Sequence, residues 1–270
     1  MTLDNRLPPR SPWRIARSLF TSQYALMLEY RAEIVLWALT ALLPLLMFSL
    51  WRDAPAGAAA GLTRQMFARY FLAAFVVRQF TVVWVIYAFE EDHLLGRMAP
   101  MLLQPLTLLW RYLAAHLAEQ ATRLPFVLVL VGAFLLLSPD AMPPPGAGRL
   151  LLAILAAHLG FWLNFLLQHA LTMLCFWSER ASSLERFLFM PYVFLSGLLA
   201  PLDLFPEQVR RLAMLTPFPS MLYVPAQIAA GGAIDRAAAF RTTLMWLLLL
   251  VPLNWWLWRA GVRRYSAMGS

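Results

Sequence analysis

The sequence predicts an all-α membrane protein, because its residues are mostly apolar and the apolar residues fall in long runs. Of its 270 residues, 61% are hydrophobic and 13% are charged, whereas a soluble domain carries roughly 25% charged residues. Several runs reach the about 20 residues that a helix needs to cross a bilayer. The 11 Trp and 8 Tyr residues suit a protein with two membrane–water interfaces, where such rings settle.

The N-terminal part of the chain predicts a helix that lies on the membrane surface. Between Trp13 and Tyr30, apolar residues recur at helical spacing among Arg14, Arg17 and Glu29. A helix with one apolar and one charged face lies in the interface rather than across the membrane. We therefore expect residues 1–32 to form a cytoplasmic tail and an amphipathic interfacial helix.

Six apolar segments then predict six membrane-spanning helices in one transmembrane domain, residues 1–270, which ends in a cytoplasmic tail, residues 259–270. Pro44 should kink the first span, and membranes tolerate such kinks. The predicted spans are residues 33–51, about 67–89, about 112–137, about 149–176, about 187–198 and about 240–258.

The segment between the fifth and sixth predicted spans differs from the other connections. Residues 201–239 are too apolar for an ordinary loop and too often interrupted by Pro and Gly for a span. Backbone of this kind lies at membrane depth only where protein or water shields it. We expect short re-entrant or interfacial helices there.

The basic residues predict the orientation of the chain. All 22 are Arg. With the N-terminus inside, 12 lie on inner segments, 8 lie on or beside outer segments, and Arg78 and Arg123 lie within spans. The excess of positive charge inside favours two cytoplasmic termini. Arginines that flank apolar spans anchor a membrane protein, so no nucleic-acid partner is expected.

The two arginines within spans are candidates for function, because a charge at bilayer depth is costly and faces protein or water. Arg78 stands close to the middle of its span. It could contact an anionic group, or it could pair with a carboxylate such as Glu119. Three polar residues of the fourth span, His158, Asn164 and His169, could line a substrate path or could form hydrogen bonds between helices.

A catalytic or nucleotide-binding centre has little support in the residues. His116 and Glu119 stand three positions apart on one helical face, as a fragment of a metal site or as a polar stripe against another helix. A P-loop needs a Lys to reach the phosphates, and the sequence contains no Lys. If ATP drives this protein, the ATPase is another polypeptide.

Residues 90–105, which follow the second predicted span, are the most informative segment. Three acids are followed by a His, a Gly and an Arg, and then by an apolar run broken by two prolines. A short helix across the inner membrane face would present charge to a soluble partner; a plain loop is the other interpretation. The candidate contact residues are Glu90, Glu91, Asp92, His93, Gly96 and Arg97.

This segment resembles the permease subunits of type-2 ABC exporters, in the branch that pairs two related permeases with a separate ATPase. The matching positions are Asp92, Gly96, Met98, Leu102, Leu103, Pro105 and Leu106, with Arg111-Tyr112 in the next helix. Further agreements, in order along the chain, are Glu29-Tyr30-Arg31, Phe176-Trp177-Ser178-Glu179, Ser196-Gly197, Pro201-Leu202 and Pro217-Phe218.

The resemblance implies six spans, an N-terminal interfacial helix and two short re-entrant helices on the outer side. It implies that residues 90–105 form a coupling helix that docks on the ATPase. It also implies a multi-pass protein of the bacterial inner membrane, with a substrate path formed by a homo- or heterodimer. ATP and Mg²⁺ would bind to the partner ATPase, and this chain would need no cofactor of its own. A membrane-embedded lipid-modifying enzyme that uses His116 and Glu119 is the alternative.

Overall fold

The computed structural model describes residues 12–29, 36, 42–54, 57, 61–104, 106–144, 146–178 and 181–265, most of which are helical. The helices are α1 (Pro12–Glu29), α2 (Leu43–Trp51), α3 (Arg64–Thr81), α4 (Val85–Leu94), α5 (Met98–Leu102), α6 (Leu108–Leu137), α7 (Ala147–Thr172), α8 (Ser182–Leu195), α9 (Glu207–Leu215), α10 (Phe218–Met221), α11 (Tyr223–Ala230) and α12 (Arg236–Arg264). A 3-10 turn, Met173–Phe176, continues α7.

Four helical stretches in the described parts of the chain are long and apolar enough to cross a membrane. They are Arg64–Leu94, which contains α3 and α4, then Leu108–Leu137, Ala147–Phe176 and Arg236–Arg264. These four coincide with the second, third, fourth and sixth predicted spans. The protein is therefore a multi-pass membrane protein with an α-helical fold.

The other two predicted spans, the first and the fifth, are not among these four long helices. Most of the first, residues 33–41, lies outside the described residues apart from residue 36, and its end forms the nine-residue helix α2. The fifth corresponds to α8, which has 14 residues. At 1.5 Å per residue such a helix is about 21 Å long, shorter than the about 30 Å hydrocarbon core. The described residues thus contain four of the six predicted spans, and the six-span count stays a prediction.

Local sequence signals explain where the long helices begin and end. The side chain of Thr63 accepts a hydrogen bond from the backbone N–H of Met66 at 3.2 Å and so caps α3. Asp235 caps α12 in the same way, through the N–H of Ala238 at 3.0 Å. Arg263 and Arg264 occupy the last turn of α12, where positive charge suits the helix dipole.

The middle of the Pro-rich segment between α8 and α12, residues 217–228, lies inside the helix bundle. Residues 217–228, which include α10 and most of α11, are buried throughout, and α11 packs against both α3 and α7. Helix α7 approaches α10 so closely that a Cβ on Gly160 would lie 2.5 Å from the carbonyl oxygen of Ser220. Burial within the helix bundle therefore explains the apolar composition of residues 217–228.

The apolar core consists of two main clusters at different heights along the long helices. One is built around α3 and α11, and the other around α4, the end of α7 and the start of α6. Between the two clusters, the second span is interrupted at residues 82–84, which are not helical. We call this interruption the α3–α4 break. Helix α1 packs along the first half of α6.

Candidate functional site

The predicted coupling segment, residues 90–105, forms a sharp turn followed by a short helix; Pro105 lies outside the described residues. Helix α4 ends at Leu94, and Gly96 then adopts a positive φ of 68°, a conformation that favours glycine. The chain re-enters a helix at Met98, whose side chain is fully buried. The turn is thus anchored to the bundle by an apolar side chain at its far end.

Glu90 joins this segment to the short helix α8. Its two carboxylate oxygens accept hydrogen bonds from the backbone N–H of Ser182, at 2.7 Å, and from the hydroxyl of Ser182, at 2.9 Å. Ser182 is the first residue of α8, where backbone N–H groups have no partner within the helix. The carboxylate supplies that partner and places negative charge at the helix N-terminus, where it is stabilising.

Asp92 joins the same segment to α6 and orders its own turn. One oxygen accepts a hydrogen bond from the Tyr112 hydroxyl at 2.9 Å, and the other lies 2.8 Å from Nε of Arg97. Nη2 of Arg97 also lies 2.8 Å from Oε1 of Glu91, and this hydrogen bond raises the pKa of Arg97. Only 13% of the Asp92 side chain is exposed, against 61% of that of Glu91.

His93 links the segment to two further helices through aromatic contacts. Its ring centroid lies 6.0 Å from that of Phe176 at the end of α7, and 5.8 Å from that of Tyr265 just after α12. Phe176 in turn packs tightly against Gly261 of α12, where an added Cβ would clash with its ring. Residues 90–97 therefore contact α6, α7, α8 and α12.

We call residues 90–97 the hub, because they contact several helices. The outward side of the hub and of the residues just after it combines charge with exposed apolar groups. Glu91 and Arg97 form a surface ion pair, while Leu95 and Leu103 are exposed, Leu103 to 88%.

The α3–α4 break is satisfied by side chains from neighbouring helices. A break in a span leaves backbone groups without helical partners, and in a membrane these must be satisfied within the protein. Here α6 and α7 provide the partners. Gln120 Nε2 donates to Phe80 O at 2.8 Å, Asn164 Nδ2 to Thr81 O at 2.8 Å, Arg123 Nη1 to Gln79 O at 3.4 Å, and Trp84 N to His116 Nε2 at 2.8 Å.

His116 and Glu119 are both engaged within the bundle. Nδ1 of His116 lies 2.8 Å from the carbonyl oxygen of Tyr112, so it donates there while Nε2 accepts from Trp84. Glu119 forms an ion pair with Arg123 one turn away. Among the described residues, no group of three or more His, Cys, Asp or Glu side chains could hold a metal ion.

Arg78 and Asn164, two of the predicted path residues, line one cavity of about 70 Å³ beside the α3–α4 break. Nε and Nη1 of Arg78 are buried, with no hydrogen-bond partner among the described residues. Glu119 pairs with Arg123 rather than with Arg78. The cavity is also lined by Gln168, Glu185 and apolar side chains of α7, α8 and α10.

His158 and His169, the other two predicted path residues, lie elsewhere on α7. His158 is exposed, and its Nε2 accepts a hydrogen bond from Trp162 at 3.1 Å. His169 is buried, with Nδ1 2.8 Å from Oδ1 of Asn254 on α12, and its ring stacks on Phe165. His169 thus connects α7 to α12.

Several residues that form these contacts were not predicted from the sequence, although the positions of Gln120 and Ser182 could have indicated them. Gln120 follows His116 by four positions and precedes Arg123 by three, so the three form one polar face of an apolar helix. Ser182 opens a helix after a polar segment, a common start signal. Asn254 and Gln168 are single polar residues in apolar helices, and their partners lie far along the chain.

Comparison with known proteins identifies the family of the chain. The family described as ABC-2 family transporter protein matches residues 36–269, far more than half of the chain. No curated protein matches the chain closely. The resemblance drawn from residues 90–106 is confirmed. With its four apolar membrane-crossing helices, the chain belongs to the ABC-2 family of transporter proteins, as a membrane-embedded permease component.

Proposed function

We propose that this chain is the permease subunit of an ABC-2 type exporter, that a separate ATPase drives it, and that it forms the substrate path together with a second permease, identical or related. The observation that carries the proposal is the hub at residues 90–97. It contacts four helices on its inner side and exposes Glu91, Leu95 and Arg97 on its outer side, and Leu103 is exposed just beyond it.

The absence of Lys from the sequence supports a separate source of energy, because the P-loop Lys is what reaches the nucleotide phosphates. In this proposal ATP and Mg²⁺ bind to the partner ATPase. The excess of Arg on the inner segments supports an orientation with both termini and residues 90–105 on the cytoplasmic side. The proposed docking surface and the ATPase are then in the same compartment.

The contacts of the hub suggest how motion is transmitted. A rotation of the ATPase would displace the turn at Gly96, and the hydrogen bonds of Glu90 would carry this displacement to α8. The aromatic contacts of His93 would carry it to the end of α12 at the same time. Helices moved as rigid bodies by small shifts at one end are a common route between two arrangements of a path.

The second permease and the membrane lipids would cover the outward faces of the short helix α8 and of the long helices. On α8, Phe187, Met190 and Phe194 recur at helical spacing and are all exposed. Because α8 is shorter than the about 30 Å hydrocarbon core, a protein neighbour would complete its surroundings better than lipid on both sides. Arg78 and Asn164, which share a cavity beside α8, are the candidates for contact with the cargo.

The decisive experiment is co-purification of this chain with the ATPase encoded beside it. The charge reversal Glu91→Arg should reduce recovery of the ATPase at least severalfold, while the chain still reaches the membrane. Glu207→Arg is the matched control, because Glu207 is also 61% exposed and also pairs with an arginine, Arg211, but lies on α9 in the proposed outer region. Equal recovery for both variants would contradict docking at residues 90–105, and a chain that transports alone would contradict the whole proposal.

A further inference from the structure

Arg78 is a charged residue deep in the bundle with unused donors. It lies about 21 Å along α3 from Arg64, at 1.5 Å per residue, and thus well inside a span. Its Nε and Nη1 are buried without a hydrogen-bond partner among the described residues, and it belongs to none of the ion pairs that those residues form. Buried donors of this kind are costly, and an unpaired charge within a membrane marks a functional site.

The cavity beside Arg78 has polar groups on one side and apolar walls on the other. Asn164 and Gln168 lie on the polar side with Arg78, and Oε1 of Gln168 is also buried with no hydrogen-bond partner in the described parts of the chain. The apolar walls include Leu171 and Phe218. At about 70 Å³, the cavity has room for about two water molecules at about 30 Å³ each, or for one small anionic group in their place.

The cavity also reaches the surface of the bundle. Phe189 of α8 forms part of its wall and is itself 45% exposed. An anionic group in contact with Arg78 could therefore be attached to an aliphatic chain that leaves along α8. The residues at this opening, Phe189 and Leu188, are apolar and suit such a chain.

From these observations we propose that the Arg78 cavity binds an amphipathic anion, whose phosphate or carboxylate contacts Arg78 and whose apolar part lies against α8. A guanidinium presents paired N–H donors that match the oxygens of such groups. That the bound molecule represents the substrate class of the permease rests on the proposed function. The binding itself can be measured without the ATPase.

Glu185 provides a way to distinguish an anionic ligand from a zwitterionic one. It lines the same cavity, accepts a hydrogen bond from the Tyr87 hydroxyl at 3.0 Å, and does not pair with Arg78. Its carboxylate would repel a purely anionic ligand but would attract the positive end of a zwitterion. Removal of its charge therefore separates these two classes: an anion should bind more tightly to Glu185→Gln, and a zwitterion more weakly.

The test measures binding of radiolabelled dodecyl phosphate to the full-length chain in dodecyl maltoside, a neutral detergent. We expect saturable binding in the wild type and an affinity about tenfold or more lower in Arg78→Gln, which is the scale of a lost charge-assisted hydrogen bond. Arg78→Lys should retain most of the affinity. Arg241→Gln, at an exposed arginine of α12, should bind as the wild type does.

Competition with unlabelled compounds in the wild-type chain identifies the ligand class and needs no variant to fold. Inorganic phosphate should compete far less well than dodecyl phosphate; equal competition would overturn the amphipathic part of the proposal. Dodecylphosphocholine that competes better, and loses this advantage in Glu185→Gln, would overturn the anionic class. Absence of saturable binding, or unchanged affinity in a folded Arg78→Gln, would overturn the site itself. If only the recovery of the ATPase is lost and dodecyl phosphate still binds, the proposed function is contradicted but the Arg78 site is not.

Discussion

The carboxylate of Glu90 holds both the backbone N–H and the hydroxyl of Ser182, at 2.7 and 2.9 Å. These two residues are 92 positions apart in the chain, and their contact fixes the end of α4 to the beginning of α8. An acidic segment that suggested a surface for a partner protein is thus also a structural joint. Its three acids have separate tasks, because Glu90 and Asp92 bind helices of the bundle while Glu91 remains exposed.

The joint at Glu90 should transmit motion rather than bind the partner. We expect Glu90→Gln to lower the free energy of unfolding by about 1–3 kcal/mol, since a charge-assisted hydrogen bond to a helix N-terminus is weakened. Transport should fall, while recovery of the ATPase in co-purification should stay near the wild-type level. Thermal unfolding and co-purification of the same preparation measure both. Loss of the ATPase with unchanged unfolding would assign Glu90 to the docking surface instead.

Asp92 and Glu91 should differ in their effect on stability although they are neighbours. Asp92→Asn should destabilise the protein by about 1–3 kcal/mol, because it weakens contacts with Tyr112 and Arg97. Glu91→Gln should change stability by less than about 0.5 kcal/mol, since an exposed ion pair contributes little. Thermal unfolding of both variants measures the difference.

A double-mutant cycle with Tyr112→Phe tests the cause of that difference. If the hydrogen bond between Asp92 and Tyr112 is responsible, the two substitutions should be non-additive by about 0.5 kcal/mol or more. Strict additivity would show that Asp92 acts through Arg97 alone.

Asn164 and His158 offer a comparison on one helix. Asn164→Leu leaves the carbonyl oxygen of Thr81 at the α3–α4 break without its donor, and a buried unsatisfied group costs about 1–3 kcal/mol. His158→Leu removes an exposed side chain whose hydrogen bond is to Trp162 on its own helix, and should be nearly neutral. Unfolding in detergent compares them, and equal losses would contradict the role of Asn164 in closing the break.

The sequence predicted the long spans well because length and apolar content decide them almost alone. Four of the six predicted spans reappear as helices able to cross a membrane, and residues 217–228 of the apolar, Pro-rich segment between the last two predicted spans are buried in the bundle. The α3–α4 break was not predictable, since Val82, Val83 and Trp84 are neither Pro nor Gly. Side chains of α6 and α7, 32 or more positions away, satisfy the backbone there.

The sequence indicated which polar residues are candidates for the site, but it did not indicate what each of them contacts. Arg78, His116 and Asn164 stand out as polar groups in apolar helices. The chain itself does not say whether such a group faces a path, a backbone carbonyl or another side chain. His116 and Asn164 satisfy the break, whereas Arg78 keeps two buried donors free among the described residues. Only the positions of the neighbouring helices separate these cases.

Gly160 provides a test of the packing that buries the short helices. A Cβ at this position would lie 2.5 Å from the carbonyl oxygen of Ser220 and 3.1 Å from Cα of Met221, and backbone atoms cannot yield as a flexible side chain does. Gly160→Ala should therefore push α7 away from α10 and cost about 1–3 kcal/mol, the range for overpacking. Gly132→Ala is the matched control on α6, because no atom lies within 4 Å of its added Cβ. That variant should be neutral or gain up to about 1 kcal/mol through better helix propensity. Thermal unfolding of the two variants in the same detergent gives the comparison, and similar melting temperatures would mean that α7 and α10 are not in close contact.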